Sequence, residues 1–276
     1  MTTLRALSPA KLNLFLHVTR RRPDGYHQLQ TVFQLLDWGD DMVFELRDEP
    51  GVTLSGDTSD LRPQDNLILR AAAALEQPTM GAHISVVKRI PRGGGLGGGS
   101  SNAGTTLRAL NRLWSLGHTD ADLMSLATPL GADVPVFARG LSAWAEGIGE
   151  NLTPIALPPR WFVVVQPECE VSTAEIFAHP QLTRNTAPIT VQAFFSGAGR
   201  NDLQDVVTAL YPEVRKALEW LLEQASSARM TGSGACLFAA LETEHEARQI
   251  AERAPAGLKI AVARGVDQLP EMHEAS

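Results

Sequence analysis

The chain has 276 residues, of which 44% are hydrophobic and 20% are charged, an ordinary composition for a globular protein of one large domain or two smaller ones. Its formal net charge of −7 argues against broad binding to nucleic acid or to an anionic membrane. The two cysteines, Cys169 and Cys236, lie far apart among apolar neighbours and predict buried, reduced thiols. No apolar run reaches the length of a membrane span, so we expect a cytoplasmic protein.

The first predicted element is a strand over Ala10–Val18, in which two sets of residues alternate. One set is entirely apolar and is predicted to face the core: Ala10, Leu12, Leu14, Leu16 and Val18. Lys11 and Asn13 then project together from the opposite face. The Pro-Asp-Gly sequence within Arg21–His27 predicts a turn after this strand.

Between this turn and Pro91, the sequence pattern predicts three more strands and one helix. The strands are expected at Asp41–Leu46, Val52–Ser55 and His83–Lys88. The helix is expected to begin at a cap formed by Asp65 or Asn66 and to run to Leu75.

The most informative segment is a glycine-rich loop at Pro91–Thr105, which reads P-R-G-G-G-L-G-G-G-S-S-N-A-G-T. Such a run cannot pack a core and loses much backbone entropy on ordering, so we infer that a ligand closely approaches its main chain. A predicted helix at Ser100–Trp114 follows it. Free N–H groups at a helix start suit a phosphate, and the hydroxyls of Ser100, Ser101 and Thr105 could also donate to it.

A dinucleotide site is one alternative for this loop, because Gly93, Gly95 and Gly98 match G-x-G-x-x-G. That pattern arises easily by chance in a glycine-rich segment. The acidic residue expected about twenty positions later would be Asp120 or Asp122. The sequence T-D-A-D at that point instead predicts a capping box with Thr119 as the first residue.

Two other interpretations of this segment, a Walker A loop and a flexible linker, fit the sequence poorly. A Walker A loop needs a lysine directly after its last glycine, where this sequence has Ser100. A flexible linker would lack the ordered strand and helix on either side. The sequence therefore favours a phosphate-binding loop.

A second informative segment is L-G-A-D-V-P-V-F at residues 130–137. The helix that begins at Thr119 is predicted to run to about Thr128, and Gly131 is a predicted helix stop. Pro135 favours the first turn of a helix, so we expect Asp133 to cap a short helix or to lie just ahead of it. An acid there is stabilised by the helix dipole, and a plain capping aspartate is the alternative to a functional one.

A proline-rich stretch after Asn151 predicts a boundary between domains of residues 1–154 and 155–276. The second part is predicted to contain strands at Trp161–Gln166 and Leu258–Ala263, a helix after a capping box at Ser172–Glu175, and helices at Asn201–Leu210, Pro212–Gln224 and Thr243–Ala254. A second glycine turn, T-G-S-G-A-C-L-F, lies at residues 231–238, and the tail Glu271–Ser276 is predicted to fray. This order of elements predicts a sheet with helices on one side.

Three segments together resemble the GHMP kinase family: S-P-A-K-L-N-L-F-L at residues 8–16, P-x-x-x-G-L-G-G-G-S-S at 91–101 and T-G-S-G-A-C-L-F at 231–238. The resemblance implies an α+β protein of two domains. The N-terminal half would have a ribosomal S5 domain 2-like fold and the C-terminal half would be a ferredoxin-like α+β sandwich. The active site would lie in the cleft between them.

The motifs P-D-G-Y-H at residues 23–27 and L-G-A-D-V-P-V-F at 130–137 are similar to those of one branch of the family. That branch phosphorylates the 2-hydroxyl of cytidine diphosphate methylerythritol, so the resemblance implies this small molecule as the partner, ATP as the phosphoryl donor and Mg²⁺ as the metal. The competing hypotheses are a GHMP kinase for another small alcohol, a non-catalytic sensor that kept the cleft, and a dinucleotide-dependent oxidoreductase built on Gly93–Gly98.

The resemblance also implies roles for individual residues. Lys11 and Asp133 would be catalytic. ATP would contact Asp65, Asn66, Leu67, Pro91, Gly93, Gly94, Gly95, Leu96, Gly97, Gly98, Gly99, Ser100 and Ser101. The substrate would contact Asn13, Tyr26, His27, Asp133, Thr173 and Phe177, with Tyr26 and Phe177 stacking on the cytosine, and Gly232, Ser233 and Gly234 would close against the phosphates. Ser101 is the one metal ligand suggested, because no acid lies between Ser101 and Asp120 to match a glutamate that other members use.

The chemistry of Lys11 and Asp133 agrees with this resemblance. Phosphoryl transfer asks a protein mainly for positioning and charge stabilisation. A tertiary alcohol is a poorly acidic nucleophile, so Asp133 would help by accepting its proton, an effect of roughly 10²–10⁴ in rate. Lys11 would keep Asp133 ionised and offset charge on the moving phosphoryl group. The alternative for Lys11 is a surface lysine on a strand.

Overall fold

The computed structural model describes residues 2–58, 61–76 and 79–274. The strands of these residues are β1 (Thr3–Arg21), β2 (His27–Arg47), β3 (Gly51–Gly56), β4 (Gly81–Val87), β5 (Ala143–Glu146), β6 (Asn151–Pro154), β7 (Trp161–Gln166), β8 (Arg229–Met230), β9 (Leu237–Leu241), β10 (Lys259–Val266) and β11 (His273–Glu274). The helices are α1 (Leu67–Ala74), α2 (Gly98–Leu113), α3 (Asp120–Ala127), α4 (Val134–Arg139), α5 (Thr173–Ala178), α6 (Val191–Phe195), α7 (Gln204–Leu210), α8 (Pro212–Gln224) and α9 (Glu244–Glu252). None of the helices in these ranges combines the length and the apolar character that a bilayer crossing requires.

One sheet runs through both halves of the chain, in the order β11-β1-β2-β10-β7-β9-β8. The long strand β2 organises it, because β2 pairs with β1 on one side and successively with β5, β10 and β4 on the other. Strand β10 joins the halves by pairing with β2 at Gly265–Leu36 and with β7 along its length. Among the strands of the described chain only β3 and β4 pair in parallel, so the fold is α+β, as predicted.

Two apolar cores flank this sheet. In the first half, α1, α2, α3 and α4 pack against β1, β2 and β4. In the second half, α5, α7, α8 and α9 pack against β7 and β9. A smaller cluster between them combines Leu12 and Leu36 with Phe162 and Phe238, and it also receives Leu96 of the glycine loop. The loop is therefore seated at the junction of the two halves.

Several predicted elements are confirmed. Strand β7 and helix α8 have the predicted ends. Asn66 caps α1, since its side chain accepts a hydrogen bond from the N–H of Ile68. Thr119 begins α3 with a complete capping box to Asp122.

The prediction that only one face of β1 meets the core is wrong. Phe15 is fully buried, and Lys11, Asn13 and His17 are 2–4% exposed. The rings of Trp144 and Phe194 pack on Phe15. Alternation predicts a strand with one face in water, whereas here the other elements of the molecule cover the second face as well.

The predicted fraying of Glu271–Ser276 is wrong over residues 271–274. Strand β11 pairs with β1, and Met272 is 8% exposed within the first core. A short strand with one apolar anchor gives no periodic signal in the sequence. Residues 275 and 276 lie outside the described residues.

The predicted capping box at the start of α5 is half right. The hydroxyl of Ser172 accepts from the N–H of Glu175, as expected. The carboxylate of Glu175 instead accepts a hydrogen bond from the hydroxyl of Tyr211 at 3.1 Å. Tyr211, 36 positions away, therefore replaces the backbone N–H of Ser172 as the donor to Glu175.

Candidate active site

A cleft of about 930 Å³ lies between the two halves, and most of the residues singled out in the sequence line it. Those that do are Lys11, Asn13, Tyr26, His27, Leu67, Pro91, Gly93, Gly94, Gly95, Leu96, Gly97, Gly98, Gly99, Ser100, Asp133, Thr173, Phe177, Gly232 and Ser233. They come from β1, the glycine loop, the start of α4, α5 and the turn before β9. The fold thus gathers into one cavity motifs that are more than 200 positions apart.

Five of the singled-out residues do not line the cleft. Thr105 is fully buried, and its hydroxyl, which was expected to donate to a phosphate, has no hydrogen-bond partner among the described residues. Asp65 is half exposed and pairs with Arg62 at 2.6 Å. The side chain of Asn66 is occupied in capping α1, and its amide donates to the carbonyl of Thr58. Ser101 is fully buried and shares a hydrogen bond of 2.8 Å with the hydroxyl of Ser8. Gly234 lies behind Gly95.

The glycine loop is held on both sides by backbone hydrogen bonds. The N–H of Lys11 donates to the carbonyl of Leu96 at 3.0 Å, which attaches the loop to β1. From the other side, the N–H groups of Ala235 and Cys236 donate to the carbonyls of Gly93 and Gly94, each at 3.2 Å. These bonds make the loop an ordered structure and rule out a flexible linker.

The end of this loop presents free N–H groups at the start of α2. Gly97 precedes the helix with a φ of +75° and without a side-chain cap. The first bond of the helix runs from the N–H of Ser101 to the carbonyl of Gly97, at 2.7 Å. The N–H groups of Gly98, Gly99 and Ser100 have no acceptor within the described chain. This geometry suits an anionic oxygen.

Lys11 and Asp133 meet beside this loop. The distance from Lys11 Nζ to Asp133 Oδ2 is 3.3 Å, and the exposed fractions of the two side chains are 3% and 33%. Lys11 also donates to Asn13 Oδ1 and lies 5.2 Å from the centre of the Phe33 ring. Lys11 is therefore a buried ammonium group and not a surface lysine.

Asp133 does precede α4, as predicted, but its carboxylate makes no capping hydrogen bond. Its side chain points to Lys11 instead. The alternative of a plain capping aspartate is therefore wrong. A carboxylate that is one-third exposed beside a buried ammonium can accept a proton from a bound hydroxyl.

Asn13 is fixed in orientation by three groups. Its Nδ2 donates to Thr31 Oγ1 at 3.0 Å, its Oδ1 accepts from Lys11, and its backbone N–H donates to Thr231 Oγ1 at 2.9 Å. The last bond connects β1 to the second glycine turn. This turn and the first strand therefore form one wall of the cleft.

A buried polar network beneath the glycine loop was not found from the sequence. The carboxylate of Asp40, fully buried on β2, accepts from the N–H groups of Arg89 and Ile90 at 2.8 Å and from Asn102 Nδ2 at 2.9 Å. It also pairs with Lys88, whose side chain lines the cleft. No local pattern signals Asp40, because its partners are about fifty or more positions away.

The far end of the cleft combines an imidazole with two aromatic side chains. The rings of His27 and Phe177 lie 5.1 Å apart at 31°, while Tyr26 is 63% exposed. Arg184, which no sequence pattern singled out, donates from Nε to His27 Nε2 at 3.1 Å. Burial, Arg184 and Arg21 all lower the pKa of His27 from its ordinary 6.5.

Both cysteines are free, as predicted. Cys236 is buried behind Gly94 of the loop. Burial raises the pKa of Cys236 to about 12, so its thiol stays protonated and unreactive at neutral pH. Cys169 is only half-buried, so the prediction that both thiols are buried is wrong for this residue.

Comparison with known proteins assigns both halves of the chain to one family. Residues 66–141 match the GHMP kinases N terminal domain, and residues 189–260 match the GHMP kinases C terminal domain. The 4-diphosphocytidyl-2-C-methyl-D-erythritol kinase of Marinobacter nauticus is 51% identical over 98% of this chain and 96% of its own length. The kinase of the same name from Alkalilimnicola ehrlichii is 53% identical over 94% of this chain and 90% of its own.

Solved structures give the same result. A crystal structure of 4-(cytidine 5'-diphospho)-2C-methyl-D-erythritol kinase superimposes with a TM-score of 0.82 at 35% identity, covering 95% of this chain and 98% of the other. Homoserine kinase from Cytophaga hutchinsonii superimposes with a TM-score of 0.70 at 17% identity, covering 99% and 97%, and shares the fold. Matches to both domains, together with relatives half identical over almost the whole length, show that this chain belongs to the GHMP kinase family.

Proposed function

We propose that this protein is an ATP-dependent kinase that phosphorylates the 2-hydroxyl of 4-diphosphocytidyl-2-C-methyl-D-erythritol, a step of the non-mevalonate pathway to isoprenoid precursors. The observation that carries the proposal is the Lys11–Asp133 pair beside the glycine loop, inside one cleft. Relatives of that name at 51% and 53% identity support the choice of substrate.

ATP would lie along the glycine loop. The free N–H groups of Gly98, Gly99 and Ser100 would hold phosphate oxygens, supported by the positive end of the α2 dipole. Lys88 lies at the same edge of the cleft and adds positive charge. Leu67, at the start of α1, offers an apolar surface for the adenine.

Mg²⁺ fits this cleft as a companion of ATP, not as a resident metal. The described residues contain no group of three or more His, Cys, Asp or Glu side chains that could hold a metal by themselves. Asp133 and the hydroxyl of Ser100 are oxygen donors in the cleft, and Mg²⁺ is commonly bound by one or two carboxylates with substrate phosphates and water. When bound, the ion would offset negative charge on the phosphates.

Asp133 would accept the proton of the attacking hydroxyl. Its carboxylate lines the cleft at the start of α4, where it meets Lys11 beside the glycine loop. Lys11 holds that carboxylate in place and would offset charge that builds up on the transferred phosphoryl group. The hydrogen bond from Lys11 to Asn13 fixes the amide that would hold the methylerythritol hydroxyls.

The cytidine would bind at the far end of the cleft. Tyr26 and Phe177 are the proposed stacking partners of its ring, and His27 would contact the polar edge. The hydroxyls of Thr173 and Ser233 lie 2.6 Å apart and join α5 to the second glycine turn. This contact would hold the substrate side of the cleft against the phosphate side.

The activity is tested by release of ADP from ATP and 4-diphosphocytidyl-2-C-methyl-D-erythritol. We expect Asp133→Asn to lower kcat by roughly 10²–10⁴, because the proton acceptor is lost. Asp48→Asn, at an exposed position with no contact to the cleft, is the matched control and keeps wild-type turnover. Lys11→Met should abolish turnover, because the buried ammonium beside Asp133 is lost, with the exposed Lys216→Met as its control.

Three results would contradict the proposal. Ligand binding without ADP release would favour a sensor. Tight binding of a nicotinamide dinucleotide with no response to ATP would favour an oxidoreductase. Wild-type turnover in Asp133→Asn would remove the proposed role of the carboxylate.

A further inference from the structure

Arg184 holds together two walls of the cleft at the end proposed to bind the cytidine. It lies between α5 and α6, and its guanidinium makes four hydrogen bonds. Nε donates to His27 Nε2 at 3.1 Å, and Nη2 donates to the carbonyls of Phe177 and His179 at 2.9 and 2.8 Å. Nη1 donates to the carbonyl of Leu182 at 3.1 Å. One planar group therefore fixes the imidazole at the start of β2 against the end of α5.

This contact determines which nitrogen of His27 carries a proton. An arginine can only donate, so Nε2 of His27 is an acceptor and the proton of the neutral ring is on Nδ1. Burial and the nearby Arg184 and Arg21 lower the pKa of His27, which keeps the ring neutral at neutral pH. Over residues 2–58, 61–76 and 79–274 the Nδ1–H has no acceptor, and His27 lines the cleft. The ring thus offers one directed donor to a ligand.

A single directed donor distinguishes two pyrimidines. Cytosine has a hydrogen-bond acceptor at N3, whereas uracil carries a hydrogen at the same position. A neutral Nδ1–H group facing that edge pairs with cytosine and opposes uracil. If the ring were free to change tautomer, Nδ1 could accept from uracil, and the discrimination would be lost.

We propose that Arg184 is a positioning residue that fixes His27 as an Nδ1–H donor and thereby makes the cleft prefer cytosine over uracil. Arg184 does not line the cleft and acts through His27. This inference rests on the proposed function, because it concerns the base of the proposed substrate. It adds Arg184 as the residue that, through His27, determines the preference between the two bases.

The test compares binding of CDP and UDP to the full chain by isothermal titration calorimetry. We expect the wild-type protein to bind CDP more tightly than UDP. In Arg184→Gln the ratio of the two dissociation constants should fall about tenfold, which corresponds to roughly 1.4 kcal/mol. ATP affinity should stay at the wild-type value, because the glycine loop is untouched. Arg215→Gln, on the exposed face of α8, is the matched control and keeps the CDP preference.

A second measurement does not depend on the folding of Arg184→Gln. Long-range ¹H–¹⁵N spectra of the wild-type protein, with the His27 signals assigned by their absence in His27→Gln, should show Nε2 without a proton. Protonated Nε2 in the wild-type protein, or an unchanged CDP-to-UDP ratio in a folded Arg184→Gln variant, would overturn the inference and leave the kinase proposal standing. A wild-type protein that binds UDP as well as CDP would instead contradict the cytidine substrate itself.

Discussion

Gly97 shows how single residues shape the side of the cleft formed by the glycine loop. Its φ of +75° lies in the left-handed region, and a Cβ atom there would lie 2.9 Å from Cζ of Phe137 and 3.2 Å from Cε of Lys11. The residue therefore needs both the backbone freedom and the small volume of glycine. Its position sets the direction of the free N–H groups that follow it.

Replacing Gly97 by alanine should lower both the free energy of unfolding and kcat. We expect a left-handed alanine to cost roughly 1–2 kcal/mol in the free energy of unfolding, with about 1–3 kcal/mol more from the contact with Phe137. Displacement of the loop should also lower kcat by about 10²-fold. Urea unfolding and ADP release measure the two effects.

Gly117 provides the control for this change. Its φ is +74°, and a Cβ atom there would have no neighbour within 4 Å. Gly117→Ala should therefore show only the left-handed strain and keep wild-type kcat. Equal loss of activity in both variants would contradict the role assigned to Gly97.

At the scale of elements, the Asp40 network couples the end of β4 to the start of α2. Asp40 accepts from the backbone of Arg89 and Ile90 just after β4, and Asn102 of α2 donates to the same carboxylate. Asn102 also donates to Ser8 Oγ, which bonds to Ser101. The two elements on either side of the glycine loop are therefore held by one buried charge.

The exchange Asp40→Asn should be strongly destabilising. It leaves the Lys88 ammonium, 16% exposed, without its counter-charge, and removal of one partner of a buried ion pair typically costs about 3–5 kcal/mol. Asp41→Asn is the matched control, because Asp41 is 49% exposed and its pair with Arg89 is worth less than about 1 kcal/mol. Urea unfolding of the two variants should differ by several kcal/mol, and equal stability would refute the network's role.

Local chemistry determined which elements the sequence could predict. The capping box at Thr119, the cap at Asn66 and the ends of α8 were predicted because each depends on a few neighbouring residues. Strand β2 was predicted only over its last part, since both of its edges are paired and its alternation is irregular. Helix α6 has five residues and no strong pattern, so it was missed.

The residues of the candidate site divide in the same way, into those that a local pattern identifies and those that only distant contacts define. The glycine loop, Lys11 and Asp133 were found because their motifs are local or match a family pattern. Asp40 and Arg184 were not, because what defines them is a partner about fifty or more positions away in the sequence. Their contacts exist only once the sheet has formed.

For the molecule as a whole, the segment after α6 binds the second half to β1. The N–H of Val18 donates to Asp202 Oδ2 at 2.8 Å, and the N–H of Arg200 donates to His17 Nε2 at 3.3 Å. His17 is 4% exposed, and its Nδ1 has no partner within the described chain. An imidazole is therefore buried where the halves meet.

This histidine should make stability depend on pH. Burial lowers the pKa of His17 below its ordinary 6.5 and is aided by Arg200, although Asp202 opposes it. Because the unfolded chain protonates first as the pH falls, the stabilisation is complete above about pH 6.5 and declines below it, by at most about 1.4 kcal/mol per pH unit for one group.

Urea unfolding at pH 7.5 and at pH 5.5 measures this dependence. His17→Gln removes the titrating ring and keeps an acceptor for Arg200, so the difference between the two pH values should shrink. The pKa of His27 is also lowered, so part of the difference should remain. His245→Gln, exposed on α9, is the control, and a pH dependence unchanged in His17→Gln would contradict the assignment.

A crystal structure with a non-hydrolysable ATP analogue and 4-diphosphocytidyl-2-C-methyl-D-erythritol bound together shows whether the reacting groups meet at Lys11 and Asp133. We expect the triphosphate on the N–H groups of the glycine loop and the 2-hydroxyl within about 2.6–3.2 Å of the Asp133 carboxylate, with Lys11 beside the terminal phosphate. A hydroxyl directed away from Asp133, or a triphosphate bound outside the loop, would contradict the account.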